Sequence, residues 1–226
     1  MLMSNMLAGL GGAVPTMRGT PTVASGNPGL TRTIAHTVDA ANRNCLIVRS
    51  AFLDVGSGGD TTTGVAWNGT AMTLARGGVG GGGTKSCAVS IWYLVNPAVG
   101  TFNVVVTNSI DAETDYVRCE NWQDVNPTTP IGGTALHAPT TSETVLTADV
   151  TKTKTLSLVL GVGLVDNTRT TTPGADITEE VDNSALGGAN AATAWLAKNT
   201  VNGSMNLTWS GTGFSALAAA ELNGDA

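Results

Sequence analysis

Residues 89–107 read VSIWYLVNPAVGTFNVVVT, and they commit the chain to β structure. Two runs of β-branched and aromatic residues flank a corner made by Asn96, Pro97 and Gly100. In the first run Val89, Ile91, Tyr93 and Val95 lie on one face, while Trp92 and Leu94 lie on the other. A strand apolar on both faces is covered on both. In the second run Phe102, Val104 and Val106 alternate with Thr101, Asn103 and Thr107, the period of a half-buried strand. The stretch is a hairpin of a layered β protein.

The rest of the sequence repeats this grammar. Residues 1–29 are punctuated by Gly and Pro without a strand or helix period, and read as an extended N-terminal arm. Strand candidates then follow at short spacing. Thr31–Val38 has Ile34 and Val38 inward, and Cys45–Leu53 is mostly apolar. Val65–Trp67 and Met72–Ala75 flank Asn68-Gly69, a type I′ hairpin signal. Gly77–Gly83 reads as a mobile glycine loop. Tyr116–Val125 is a further strand, and residues 126–143 read as a long Pro- and Thr-rich connection. Beyond it lie Thr144–Val150, Thr155–Val165, a weak Asp176–Val181, Ala191–Asn199, Ser204–Ser210 and Phe214–Leu222. In Thr155–Val165, the residues Leu156, Leu158, Leu160, Val162 and Leu164 share a face. Strands are not separated by helical crossovers, which excludes a parallel α/β sheet. The expected fold is all-β: an antiparallel two-sheet β-sandwich over residues 30–226, jelly-roll-like or Ig-like, preceded by the arm.

Charge narrows the partners. Of 226 residues 42% are hydrophobic but only 12% charged, and the net charge is −6. The eleven Lys and Arg are scattered. No basic stripe is available for a phosphate backbone or an anionic membrane. No apolar run reaches the roughly 18–20 residues of a membrane span. The first residues lack a basic segment and are interrupted by Gly9, Gly11 and Gly12, unlike a signal peptide. Met1, Leu2, Met3, Met6, Leu7 and Leu10 instead suit an arm that docks on a neighbouring subunit. Cys45, Cys87 and Cys119 have no C-x-x-C spacing and sit at strand positions, so buried free thiols are expected, as in a reducing compartment.

Motifs with chemical meaning are few. In residues 78–86, GVGGGGTKS, the P-loop lysine position holds Thr84, and no strand-to-helix context surrounds it. Asp111, Glu113 and Asp115 alternate between two strands. They offer oxygen ligands for calcium or a solvated turn, as do Glu179, Glu180 and Asp182. His36 and His137 are the only histidines, and no Ser sits in a nucleophile elbow. No cofactor, metal site or catalytic set is assigned. Trp67, Trp92 and Trp209 lie amid apolar residues and read as core. Trp122 differs, because strand parity puts it on one face with Glu120 and Arg118. That face is a solvated sheet surface, a subunit interface or a ligand platform.

The order of motifs is similar to a β-sandwich module that recurs in bacteriophage virion proteins and bacterial surface proteins. The landmarks are the Asn68-Gly69 hairpin with Met72 and Thr73; the corner from Trp92, Tyr93 and Leu94 through Asn96 and Pro97 to Gly100 and Thr101; Thr128, Thr129, Pro130 and Gly132; and Trp209 with Ala218, Ala220 and Leu222. The resemblance covers about residues 30–223. The resemblance implies a scaffold without defining catalytic residues. It leads to the expectation of a non-enzymatic structural protein of a virion: a capsid decoration, head fibre or tail component. Such a protein is assembled in the host cytoplasm, homo-oligomeric, and bound to other virion proteins. The alternative is a carbohydrate-binding or adhesive module of a bacterial surface protein, with Trp122 as its platform for a surface glycan.

Overall fold

The computed structural model of the protein describes residues 12–41, 43–56, 59–83, 85–167, 170–183, 192–199 and 203–224, with backbone alone for 181–183 and 192–199. Every element among them is a strand. The first half contributes β1 (Thr16–Gly26), β2 (Gly29–Val38), β3 (Cys45–Val55), β4 (Thr62–Trp67), β5 (Thr70–Ala71), β6 (Thr73–Gly80), β7 (Lys85–Val95), β8 (Gly100–Ala112) and β9 (Thr114–Gln123). The second contributes β10 (Ile131–His137), β11 (Glu143–Asp149), β12 (Ser157–Asp166), β13 (Thr171–Pro173), β14 (Ile177–Asn183), β15 (Ala192–Asn199), β16 (Ser204–Gly213) and β17 (Ser215–Asn223).

These strands form four antiparallel sheets. An outer sheet β2-β8-β4-β5 and an inner sheet β1-β9-β3-β7-β6 make the first sandwich. An inner sheet β10-β17-β12-β15-β14 and an outer sheet β11-β16-β13 make the second. Count β5 and β6 as one strand broken at Met72, and the second half repeats the first strand for strand. In each half the last strand lies between the first and the third, and the penultimate pairs with the second. That is jelly-roll order, which decides between the two topologies left open by the sequence. The antiparallel sandwich expected over residues 30–226 is therefore built twice, and the two copies stack into four layers.

Three cores hold the layers together. Inside the first sandwich, Ile34, Trp67, Val104 and Val106 meet Leu46, Val48, Trp92 and Cys119. Inside the second, Leu146, Met205, Leu207 and Trp209 meet Val159, Val165, Leu217 and Ala219. Between the sandwiches, Ile47, Leu53, Val89, Ile91 and Tyr116 meet Leu158, Leu160, Val162, Leu164 and Ala218. The central strands of the two inner sheets thus have no solvent face. This is why β3, β7, β12 and β17 are apolar on both sides. Small side chains bring the sheets close: Ala216, Ala218, Ala219 and Ala220 are all buried on β17.

Local chemistry fixes the turns. Asn68 and Gly69 take φ of 46° and 77°, the left-handed pair that a type I′ hairpin requires. Asn96 at 51° and Gly100 at 130° bracket the corner between β7 and β8.

Three segments depart from the sequence reading. Thr16–Gly26, read as part of an extended arm, is β1, paired with β9 from Thr16 opposite Gln123 to Gly26 opposite Asp115. Ile131–His137, read as connection, is edge strand β10. The glycine tract is no mobile loop. Its first part is β6, laid against the second sandwich so closely that a Cβ on Gly78 would collide with Leu136, and one on Gly80 with the Ser215 carbonyl. Gly81 N–H donates to the Pro139 carbonyl at 2.9 Å. Gly80 is there because two backbones touch, and Gly78 because Leu136 lies against it.

Candidate functional site

The face predicted from Arg118, Glu120 and Trp122 exists. All three point from β9 toward the second sandwich, but the chain itself covers them: 5%, 0% and 1% of each is exposed. Their face meets no solvent and no open groove. It is the middle of the seam between the sandwiches.

Arg49, the one cation in the apolar run of β3, organises this seam. Its guanidinium is fully buried and donates to the Gly161 carbonyl on β12 at 3.0 Å. It also donates to Glu120 on β9 and to Glu180 on β14. Arg118 donates to Glu120 as well, and lies 3.9 Å from Glu180. Trp122 Nε1–H donates to Glu120 Oε2 at 3.2 Å. Two cations and two carboxylates thus neutralise one another across the seam. Burial opposes the charge on Arg49, but Glu120 and Glu180 more than offset it and hold its pKa above the ordinary value. A buried quartet of this kind adds little net stability over apolar packing, but removing one member is costly.

The other acids are likewise engaged in packing. Asp115, 2% exposed, pairs with Arg32 of β2, whose Nε donates to Oδ2 at 2.7 Å. Burial raises its pKa, against the pull of Arg32. Asp111 stays exposed on β8, so the alternating acids do not converge on a cation. Glu179 accepts from Thr171 Oγ1 at 3.3 Å, while the side chain of Asp182 lies outside the described residues. Among the described residues no three His, Cys, Asp or Glu are placed to hold a metal.

Glu221, 0% exposed on central strand β17, sits in a cradle. Its carboxylate accepts from the backbone N–H of Gly133 at 2.9 Å, Thr153 at 2.7 Å and Lys154 at 3.0 Å. The hydroxyls of Thr153, at 3.0 Å, and Ser157, at 2.6 Å, complete it. Burial alone would raise its pKa, yet these donors hold it down to about 2. A Cβ on Gly132 would strike the carboxylate and one on Gly133 the Thr151 carbonyl, which explains the pair. Arg49 and Glu221 escaped the sequence reading. Arg49 is the only charge in the apolar run Cys45–Leu53 and Glu221 the only charge in β17, and that was the available signal.

Both histidines are structural. His36 is 2% exposed, with Nδ1 2.8 Å from Thr22 Oγ1 on β1 and Nε2 3.3 Å from Asn121 Oδ1 on β9. Burial lowers its pKa, partly opposed by Asn121, Glu120 and Asp39. His137 Nδ1 accepts from Thr147 N–H at 3.0 Å, and its Nε2 faces Glu143 at 3.1 Å. Cys45, Cys87 and Cys119 are free and buried, and burial pushes the Cys45 thiol up to about 12. Trp67, Trp92 and Trp209 are core, at 1%, 7% and 4% exposed. Met1, Leu2, Met3, Met6, Leu7 and Leu10 lie outside the described residues.

A shallow cleft of about 500 Å³ opens beside the glycine tract, walled by Gly80–Gly83, Lys85 and Thr140. Lys85 is tied to Asp166 at 2.8 Å. No helix among the described residues is long and apolar enough to cross a membrane. No family model matches the sequence, no curated protein is detectably similar to it, and no solved structure matches the fold.

Proposed function

We propose that this chain is a non-enzymatic structural protein of a phage or phage-like virion, a decoration, fibre or tail component that works through contacts with other virion proteins. The carrying observation is how the fold spends its ionisable groups. Arg32, Arg49, Arg118, Asp115, Glu120 and Glu221 lock strands and sheets to one another. Chemistry at a site needs such groups converging on open space. Jelly rolls are a common scaffold of capsid proteins, and the sequence landmarks resemble a module found in virion proteins.

The glycan-binding reading draws on the same fold, since lectin domains are also jelly rolls. Its Trp122 platform is buried, so a sugar would have to lie on an outer sheet, where Thr and Asn side chains offer hydrogen bonds.

The test is mass spectrometry of purified particles produced from the genome that encodes the chain, with a glycan array alongside. The expected result is the chain in fixed ratio to the capsid or tail proteins after high-salt washing. Its absence from particles, with the protein free in the lysate, overturns the proposal. Glycan binding lost on substituting outer-sheet residues establishes the alternative.

A further inference from the structure

β1 is fastened to its sheet from one side only. It is an edge strand, paired with β9, and its side chains are exposed or half-buried along its length. A bulge between Arg18 and Thr22 interrupts the ladder. There Gly19 takes a φ of 67°, and Pro21 has no N–H to donate. The polar link from β1 to the interior is Thr22, which lies opposite Cys119 in the register. Its Oγ1 is 2.8 Å from Nδ1 of His36 on β2. β2 is the edge of the outer sheet, so β1 and β2 together close one side of the first sandwich. His36 stands just behind that closure, 2% exposed, with Trp67 of β4 edge-on to its inner side.

The hydrogen bonds around His36 assign its proton. Asn121 Nδ2–H donates to the Thr37 carbonyl at 2.7 Å, which turns Oδ1 toward His36 Nε2 at 3.3 Å. Nε2 therefore carries the ring proton, and Nδ1 accepts the Thr22 hydroxyl hydrogen. A second proton has one place to go, and that is Nδ1, the nitrogen that holds β1. The Thr22 hydroxyl must then turn round and accept, and a full charge appears in a buried pocket. The charges that act on the ring are Asp39, just after β2, and Glu120 of β9. Glu120 is already engaged by Arg49 and Arg118. Of the nearby cations, Arg18 of β1 donates to Gln123 at 3.0 Å, and Arg32 of β2 pairs with Asp115. Thr22, Trp67 and Phe102, which meet the ring from β1, β4 and β8, bring no charge.

We propose that β1 is an acid-released strap: a proton on His36 Nδ1 loosens β1 from β9 while the rest of the sandwich stays folded. Lifting β1 opens His36 to water, where it takes up a proton at its ordinary value of 6.5, whereas burial lowers that value under the closed strap. The closed form is therefore favoured above pH 6.5 and loses that advantage as the pH falls. Between pH 7.5 and 5.5 the open form gains by up to about tenfold. His36 and His137 are the only histidines, and histidine is the side chain that ordinarily titrates in this range. His137 belongs to β10 of the second sandwich. Asp115, whose pKa burial raises, lies opposite Gly26 at the far end of β1, and a His36 variant separates the two. Release bares the backbone edge of β9, a row of N–H and C=O groups open to an added strand. Release of β1 is independent of the virion reading and stands or falls on the free protein.

The experiment is hydrogen–deuterium exchange of the full chain at pH 7.5 and 5.5, read by mass spectrometry and corrected for the intrinsic pH dependence of exchange. Protection of Thr16–Gly26 should fall several-fold at pH 5.5, up to about tenfold, while β3 and β17 keep theirs. In His36→Gln the protection of β1 should be the same at both pH values. Thr22→Val keeps the shape of the side chain and removes its hydroxyl, so it should lower the protection of β1 already at pH 7.5. Far-ultraviolet circular dichroism checks the fold of each, and the wild-type comparison with Thr22→Val carries the test if His36→Gln does not fold. Wild-type β1 that is equally protected at both pH values overturns the proposal. So does an equal fall in β3 and β17, a fall that persists in folded His36→Gln, or a Thr22→Val chain whose β1 is protected like wild type.

Discussion

Replacing Glu221 by Gln keeps the shape of the side chain and removes its charge, and the structure sets the cost. Five donors converge on the carboxylate, three of them backbone N–H groups that cannot turn away. The amide of Gln would point its own N–H₂ at some of them. The carboxylate is held down to about 2, from an ordinary value of 4.5. At 1.36 kcal/mol per pH unit that difference corresponds to about 3 kcal/mol. The folded pKa lies below the unfolded one, so this stability is fully present above pH 4.5 and is lost as the pH falls toward 2. At pH 3 roughly 40% of it remains. With a urea dependence of about 2 kcal/mol per molar, Glu221→Gln should lower the unfolding midpoint by about 1.5 M at pH 7. The gap should narrow to well under 1 M at pH 3. Urea titrations of both proteins at pH 3, 5 and 7, followed by tryptophan fluorescence, measure it. A midpoint shift below about 0.3 M at pH 7, or an equal shift at all three values, would refute the cradle as a charge-stabilising site.

Arg49→Met should cost about 3–5 kcal/mol, because it leaves two buried carboxylates, Glu120 and Glu180, sharing the single cation Arg118; a loss below about 1 kcal/mol in urea would mean the seam admits water. Changing Glu120 and Glu180 to Gln in the same chain should recover part of that loss, read by the same titration. His36 has a lowered pKa, so its contribution is present above about pH 6.5 and lost as the pH falls below it. The stability of His36→Gln should therefore vary less than wild type between pH 7 and 5.5, and an unchanged slope assigns that acid sensitivity elsewhere. Cys45, Cys87 and Cys119 should resist a thiol reagent in the native protein and all react once it is denatured without reductant. A rapid native reaction would contradict their burial.

How much of this was legible in the sequence follows from what periodicity reports. Period two in Phe102, Val104 and Val106 gave the inward face of β8, and parity put Arg118, Glu120 and Trp122 on one side of β9. Parity tells which residues share a face, not what covers it. A second sandwich of the same chain was therefore invisible at Trp122. One sign of it was present, because Val89–Val95 and Cys45–Leu53 are apolar on both faces, which a single two-sheet sandwich does not require. β1 and β10 were missed because edge strands need no apolar stripe. The described side chains of β1 are exposed or half-buried, and Gly132-Gly133 interrupts the pattern of β10. The glycine tract misled because glycine signals a loop by propensity, whereas here it permits backbone contact, which only the fold reveals.

The architecture also changes what the scarcity of charge means. A chain with 12% charged residues can owe that figure to covering by other subunits or to its own layering. The central strands of two of the four sheets have both faces inside, so layering accounts for their apolar sequences. It even draws charges inward: Arg49, Asp54, Asp115, Glu120, Asp166 and Glu221 are each buried. The outer face of β2 and β8 is a different case. Thr31, Thr33, Ala35, Thr37, Thr101 and Asn103 are exposed there, so burial within the chain does not explain why these positions hold no Lys, Arg, Asp or Glu. Solvated strands usually carry such residues, which also guard a sheet against pairing with its neighbours. A face that lacks that protection owes its low charge to something other than burial within the chain. The layering thus separates two causes of low charge, and only the second bears on partners.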